Sequence, residues 1–477
     1  MSDLPAFREA LPVGTALTDE GLIAERYGRN ITALRRSIPI VLLPETTDEV
    51  RRIVQIANEY RVPLYPISTG RNWGLGSKLP VRDGCAVLDL SRLNRIVEVR
   101  EDTCHAAIEP GVTQAQLAAH LNRHHPGLTL NFTGSFAHSS IMGNVLERGD
   151  GLRARVHDLL GVEGILGSGE PFTAGCASRY SAGPDLAGLF CQSNFGIVTK
   201  MLFRLIRRPE RRYLFWAIAP DAELHRMADT FQRLADQNVV RADSVNIGYA
   251  NRFVQSLLPH DGVWNAYAVV DGPVRVADAQ VEEMRQAFLP FCPDVGACHA
   301  QSAEDLKSIL PPFLHPLISQ LGCEPDDSIL PMIYRLTGTP APTDPRAFDA
   351  DLTPFGMKCY VGLIPPGGPS ARRTADIVAG VRERSGLNIK ASFFGDGRTL
   401  ITIHFFTNDS EAVTRAEAAE SDLWDRMTGA GFYPYRASID QMERLLRLRP
   451  EGFRIAGQLK MLWDPNGIIA PGRYCDT

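Results

Sequence analysis

The stretch that most limits how this chain can fold runs from Pro66 to Gly76: Pro-Ile-Ser-Thr-Gly-Arg-Asn-Trp-Gly-Leu-Gly. An apolar strand (Leu64, Tyr65, Ile67) enters it directly, and Gly70, Gly74 and Gly76 are interleaved with Ser68, Thr69, Arg71 and Asn72. Glycine reaches positive φ without steric cost, so amide N–H groups can converge on an anion. Small hydroxyls add donors, and one arginine adds a rigid cationic fork. Such a loop is built to hold a diphosphate. It lacks the lysine of G-x-x-x-x-G-K-[ST], and its spacing is not G-x-G-x-x-G, so neither common nucleotide fingerprint applies. A tight turn with no ligand is the plainer alternative.

A chain of 477 residues exceeds one simple core, and two or three domains are expected. Its net charge of −5 argues against a nucleic-acid surface or a polybasic membrane patch. No apolar run approaches the roughly 18 residues a membrane span needs. The opening Met-Ser-Asp-Leu-Pro-Ala-Phe-Arg-Glu has no basic region followed by an apolar core, so no signal peptide is expected. Nine cysteines are scattered without C-x-x-C or paired Cys/His spacing, which predicts neither a disulfide framework nor a metal site and fits a cytoplasmic protein.

Residues 38–205 alternate strand-like and helix-like segments. Val50, Ile53, Val54, Ala57 and Tyr60 form a helical face, and Thr46 with Glu49 has capping-box spacing. Strands are predicted at 63–67, 85–90, 96–99, 104–108 and 201–206, with a short helix over 114–122. Residues 139–149 read as a second donor-rich loop. From about 212 to 425, strand-like runs (214–219, 264–270, 358–364, 400–406) alternate with amphipathic helices (222–236, 275–288, 371–384), the pattern of an antiparallel sheet with helices on one face. Further helices are expected near 438–447 and 455–462.

Six motifs then converge. Pro-Leu-Tyr-Pro-Ile-Ser-Thr-Gly-Arg-Asn-Trp-Gly (63–74), Glu-Pro-Gly-Val-Thr (109–113) and Met-Gly-Asn-Val-Leu-Glu-Arg-Gly (142–149) come first. Gln-Ser-Asn-Phe-Gly-Ile-Val-Thr-Lys (192–200), Tyr435-Arg436 and Asp-Pro-Asn-Gly-Ile-Ile-Ala-Pro-Gly-Arg (464–473) follow. In this order they resemble the vanillyl alcohol oxidase / p-cresol methylhydroxylase family of FAD-dependent oxidoreductases, from about residue 35 onward.

The resemblance implies an α+β fold: a two-lobed FAD-binding domain of the p-cresol methylhydroxylase type plus a substrate (cap) domain of antiparallel sheet and helices. The implied division is an N-terminal segment (1–34), the FAD domain (35–209), the cap (210–425) and a C-terminal segment (426–477) returning to the FAD domain. Ser68, Thr69, Gly70, Arg71, Asn72 and Gly74 would take the diphosphate. Ser139, Ser140, Gly143 and Asn144 would line the same cofactor. Gly196, Ile197 and Val198 would meet its adenine half, and Arg473 would lie near the flavin. A small-molecule substrate, O2 or an electron-acceptor protein, and a homodimer are implied as partners.

Departures cluster on the substrate side. The family's phenol oxidisers hold a phenolate with two tyrosines and an arginine, helping hydride loss to the flavin. Tyr435 and Arg436 match two positions, while the third is Leu75. Ser135 stands where an acidic residue is expected, and His138 is the neighbouring candidate base. Lys358 aligns best with the position of covalent flavin attachment, with Tyr360 on the same face if the register slips, so non-covalent FAD is expected. His404 is either a pocket residue or a plain strand histidine. The expected activity is oxidation of a small aromatic or phenolic alcohol or alkyl compound. A 2-hydroxy-acid dehydrogenase, or an FAD-binding protein that has lost catalysis, are the alternatives.

Overall fold

A computed structural model describes residues 4–133, 136–151, 153–175, 182–249, 262–299, 304, 305, 308, 325, 327 and 329–475. Three large sheets and a two-stranded pair, Leu128–Thr129 with Ile206–Arg207, organise them. The first has the strand order Ala16–Leu17, Val41–Leu42, Ala86–Asp89, Leu64–Ile67, with the last three parallel. Ala16–Leu17 pairs antiparallel with Val41–Leu42, so the N-terminal segment contributes an edge strand to this lobe. Thr47–Tyr60 packs Val50, Ile53, Val54 and Ala57 into the same core. Its cap is Thr46, whose hydroxyl accepts from Glu49 N at 3.2 Å; the Glu49 carboxylate accepts from Glu45 N rather than from Thr46.

The second sheet is antiparallel, ordered Ile96–Arg100, His105–Ile108, Gly196–Arg204, Leu159–Leu166, Pro171–Gly175. The third has eight strands: Asp294–His299, Arg211–Pro220, Val263–Gly272, Val245–Tyr249, Asn388–Phe394, Arg398–Phe406, Phe355–Leu363 and Tyr433–Arg436. Helices Leu224–Asp236, Val274–Phe288, Gly368–Ser385 and Ser410–Gly429 share one hydrophobic core with one face of this sheet. The alternation is visible residue by residue: Ile389, Ile401 and Ile403 are at 0% exposure, while the residues between them are half-buried.

The chain returns to its beginning after the helix Pro450–Trp463. Leu64 N donates to Ile468 O and Ala470 N to Leu64 O, both at 2.7 Å, so the tail lies as a parallel bridge on the first sheet. Lys460, fully buried, ties this return together: its ammonium donates to Asn194 O (2.5 Å), Ile469 O (2.6 Å) and Asp464 (2.5 Å). Burial lowers the Lys460 pKa against the opposing pull of Asp464. No helix among the described residues is long and apolar enough to cross a membrane, and none of their His, Cys, Asp and Glu side chains form a metal-holding group of three.

Candidate active site

The crevice begins where the strand Leu64–Ile67 ends. Gly70, Gly74 and Gly76 have φ of +66°, +77° and +122°, conformations that side chains rarely adopt. A Cβ on Gly74 would meet Cys359 Sγ at 2.5 Å, and one on Gly76 would meet Ile439 at 2.6 Å, so the loop lies hard against the eight-stranded sheet on one side and the C-terminal segment on the other.

The stretch 139–149, read as a loop, is instead a short helix over Ile141–Leu146. Ser140 caps it, accepting from Gly143 N at 2.9 Å and donating to Pro110 O at 2.6 Å. The hydroxyl that nucleates this turn made it look like loop chemistry. Ser140 N donates to Thr69 Oγ1 (3.1 Å), and a Cβ on Gly143 would fall 2.3 Å from Ser68 Oγ. The two donor-rich segments therefore face each other across one crevice.

Ser68, Thr69, Gly70, Arg71, Asn72, Ser139, Ser140, Gly143, Asn144, Gly196, Ile197, Val198, Arg436 and Arg473 all line it. Gly74 lies outside this lining, against Cys359. The sequence reading missed Tyr65, Glu147, Gln192 and Asn194 as wall residues, although all four fall in or beside the quoted motifs. Buried polar atoms here lack partners among the described residues: Ser139 Oγ, Asn144 Oδ1, Arg71 Nη1 and Arg436 Nε. Orphaned donors and acceptors along a glycine-flanked crevice fit a diphosphate-bearing cofactor such as FAD.

Glu147 and Arg473 form an ion pair in this wall. Arg473 bonds Glu147 at 2.6 Å and also Tyr65 OH, and Tyr474 OH donates to the other Glu147 oxygen at 2.9 Å. Burial pushes the Glu147 carboxyl up, but the Arg473 and Arg436 guanidiniums outweigh it and hold its pKa below the ordinary value.

At the cap end, Tyr435 and Arg436 sit on the edge strand Tyr433–Arg436, where Val361 pairs with Arg436 across a register irregularity. Gln192 donates to Tyr435 O at 2.7 Å, and Arg436 Nη2 donates to Asn72 Oδ1 at 2.9 Å. The Tyr435 hydroxyl is buried without a hydrogen-bond partner among the described residues. Burial raises its pKa past the opposing Arg436 and Arg398, so it stays a neutral donor. Leu75, in place of the family's third tyrosine, packs with Cys359 and Val361, bordered by Met357, Leu400 and Tyr435.

Other expected residues lie elsewhere. Ser135 is outside the described residues. His138 does not line the crevice; its imidazole is 3.8 Å from Asp327. Lys358 faces the helices, bonding Glu420 (2.6 Å) and Asp440 (3.1 Å), and Tyr360 donates to Phe432 O (2.6 Å). The strand parity that puts Cys359 against the glycine loop turns both neighbours away from it. His404 falls on the crevice-facing parity, beside Thr402.

Residues 38–175 match a family model described as an FAD binding domain. The chain is 29% identical to 1'-carboxy-chondrochloren decarboxylase of Chondromyces crocatus, over 99% of this chain and 96% of that protein. It is 25% identical to the 4-cresol dehydrogenase (hydroxylating) flavoprotein subunit of Pseudomonas putida, over 90% and 86%. The crystal structure of p-cresol methylhydroxylase with substrate bound superposes with a TM-score of 0.83 at 23% identity, covering 100% of this chain and 96% of that one. With the motifs in register and the crevice they form, this chain belongs to the vanillyl alcohol oxidase / p-cresol methylhydroxylase family of FAD-dependent oxidoreductases.

Proposed function

We propose that this protein oxidises a small phenol or related aromatic alcohol whose oxygen is held between Tyr435 and Arg436. The observation that supports it best is the Tyr435 hydroxyl, buried with no hydrogen-bond partner among the described residues, next to Arg436 and a patch of Leu75, Cys359 and Val361. An aromatic ring suits the patch, and an oxygen anion suits the two donors. Arg436 favours the phenolate by charge, while Tyr435 donates a hydrogen bond that strengthens as the oxygen gains charge, a contribution of about 1.5–3 kcal/mol. Bound FAD would supply the two-electron acceptor. Ser68, Thr69, Ser139 and Asn144 would hold it, and the Glu147–Arg473 pair would keep that wall in place.

The reading includes non-covalent FAD. Lys358 and Tyr360 point into the helix layer, and burial pushes the Cys359 thiol up to about 12, far from a nucleophilic thiolate. A second reading draws on the Chondromyces relative, whose likeness spans nearly the whole chain. A phenol carrying a carboxylate on its benzylic carbon would be gripped the same way; loss of CO2 would leave the electron pair of the broken C–C bond on that carbon, where a proton from water would take it up.

Acid precipitation of the FAD-loaded protein is expected to release its yellow colour. Anaerobic mixing with 4-alkylphenols, benzylic alcohols, benzylic-carboxylate phenols and 2-hydroxy acids then sorts the chemistry. Bleaching by the first two supports the main reading, and CO2 release with the third supports the second. Bleaching by 2-hydroxy acids alone would overturn both. Reoxidation with and without O2 identifies the electron acceptor.

A further inference from the structure

Among the described residues, four charged side chains line the cofactor crevice: Arg71, Glu147, Arg436 and Arg473. Arg71 turns toward Arg346 O, where the acidic residues Asp349 and Asp351 act on it. The other three gather at the end nearest the cap. Arg436 donates to the neutral Asn72, and its Nε has no partner among the described residues. Its charge nonetheless acts on both Glu147 and Tyr474. Glu147 is bonded to Arg473 at 2.6 Å, with Tyr474 OH on its second oxygen at 2.9 Å and Tyr65 OH on the guanidinium. Tyr65 and Tyr474 are buried, and burial raises both phenols, so neither carries a charge near neutrality.

This end of the crevice therefore holds two cations and one carboxylate. Glu147 is the one acidic side chain among the described lining residues, and it is bonded to Arg473 rather than to Arg436. The redox-active ring of FAD belongs at the same end, because a hydride passes only to a ring in contact with the substrate carbon. When the hydride leaves that carbon with its electron pair and forms the N5–H bond, the ring gains one negative charge. A nearby cation favours the gain and a nearby carboxylate opposes it. Both effects are large where water is excluded.

We propose that Glu147 sets the reduction potential of the bound flavin by cancelling the charge of Arg473, which leaves Arg436 as the one uncompensated cation beside the ring. This rests on the phenol reading above, which puts the substrate oxygen between Tyr435 and Arg436. Arg436 then faces an anion on both sides of the reaction, the phenolate oxygen before hydride transfer and the reduced ring after it. With Glu147 uncharged, two cations would favour the reduced ring and slow the passage of its electrons to an acceptor. Glu147 acts through Arg473 without touching the reacting atoms, so it is a positioning residue.

The test uses sulfite, which adds to flavin N5 and places one negative charge on the ring without any substrate present. It is titrated into the FAD-loaded protein in mildly alkaline buffer, where Glu147 is ionised, and loss of visible colour gives Kd. Equilibration with a dye of known potential gives the midpoint. Four proteins are compared: wild type, Glu147→Gln, Arg473→Gln and the double variant. Glu147→Gln should bind sulfite about ten-fold more tightly than wild type, equivalent to a midpoint about 30 mV higher for a two-electron couple. Arg473→Gln should shift both readings by about as much in the opposite direction. The double variant has the wild-type charge count and should return close to the wild-type values. A purely structural role would move all three variants the same way. Any other order overturns the proposal. So does loss of flavin from all three variants, because the pair then holds the cofactor instead of setting its potential. If the order holds while phenols fail to bleach the wild type, the phenol reading fails alone.

Discussion

The cofactor crevice and the cap sheet come together where the glycine loop meets Cys359, but they are built on opposite plans. The crevice is made of backbone turns and small hydroxyls, and Glu147 and Arg473 in its wall form an ion pair. The cap side is made of side chains projecting from regular strands, and it leaves the Tyr435 hydroxyl without a hydrogen-bond partner among the described residues. A site of fixed turns recognises one ligand shape. A site of alternating strand residues can change its ligand by changing one side chain, with no alteration of the sheet. The comparison accounts for a chain that keeps its cofactor motifs while its substrate positions have moved.

The sharpest way to break the comparison is at Glu147. Glu147→Ala leaves the buried Arg473 without its carboxylate, a loss of about 3–5 kcal/mol. Urea unfolding and the flavin-to-protein ratio should both register it, and an unchanged ratio would show that the pair does not organise the cofactor wall. The same carboxyl sets a pH limit. Its folded pKa lies below the ordinary 4.5, so its contribution is complete above 4.5 and fades as pH falls through the folded value. Flavin retention in the wild type should therefore drop in acid, with a flatter profile for Glu147→Gln.

Next in size is Arg436→Ala. Removing a cation aimed at developing charge should slow flavin reduction about 100-fold, roughly 2.7 kcal/mol, while bound flavin stays near the wild-type level. Loss of the flavin itself would show that the two regions are not separable at this residue. The smallest effect is expected at Thr46→Ala, which removes a helix cap behind the first sheet. About 1 kcal/mol of stability should go, with neither flavin content nor reduction rate altered.

The same contrast explains what could be read in the sequence. The glycine loop was legible because positive φ demands a residue type, and Gly70, Gly74 and Gly76 take it up. Thr46 was legible because a cap is local chemistry. The helix Ser410–Gly429 escaped notice: its buried face is mostly alanine (Ala412, Ala416, Ala419), which gives a weak periodic signal. The strand Asn388–Phe394 mixes Asn, Lys and Ser with apolar residues because only one of its faces packs into the core under the helices, the other staying half-buried. Lys358 could not be placed by alignment alone, since a one-residue difference in strand register moves a side chain to the opposite layer. Glu147 lay inside a quoted motif but was overlooked, because its partner Arg473 is 326 residues away.

That distance has a consequence for how the protein is made. Tyr65 and Arg473, which touch in the finished crevice, are separated by 408 positions in the chain. A ribosome delivers the glycine loop long before the segment that closes over it. Contacts of such separation form slowly, because the entropy of closing the intervening loop is lost before they contribute. Holoprotein yield should thus be governed by this final docking of the tail, and FAD supplied during synthesis would meet a competent crevice only after the segment carrying Arg473 has been laid down.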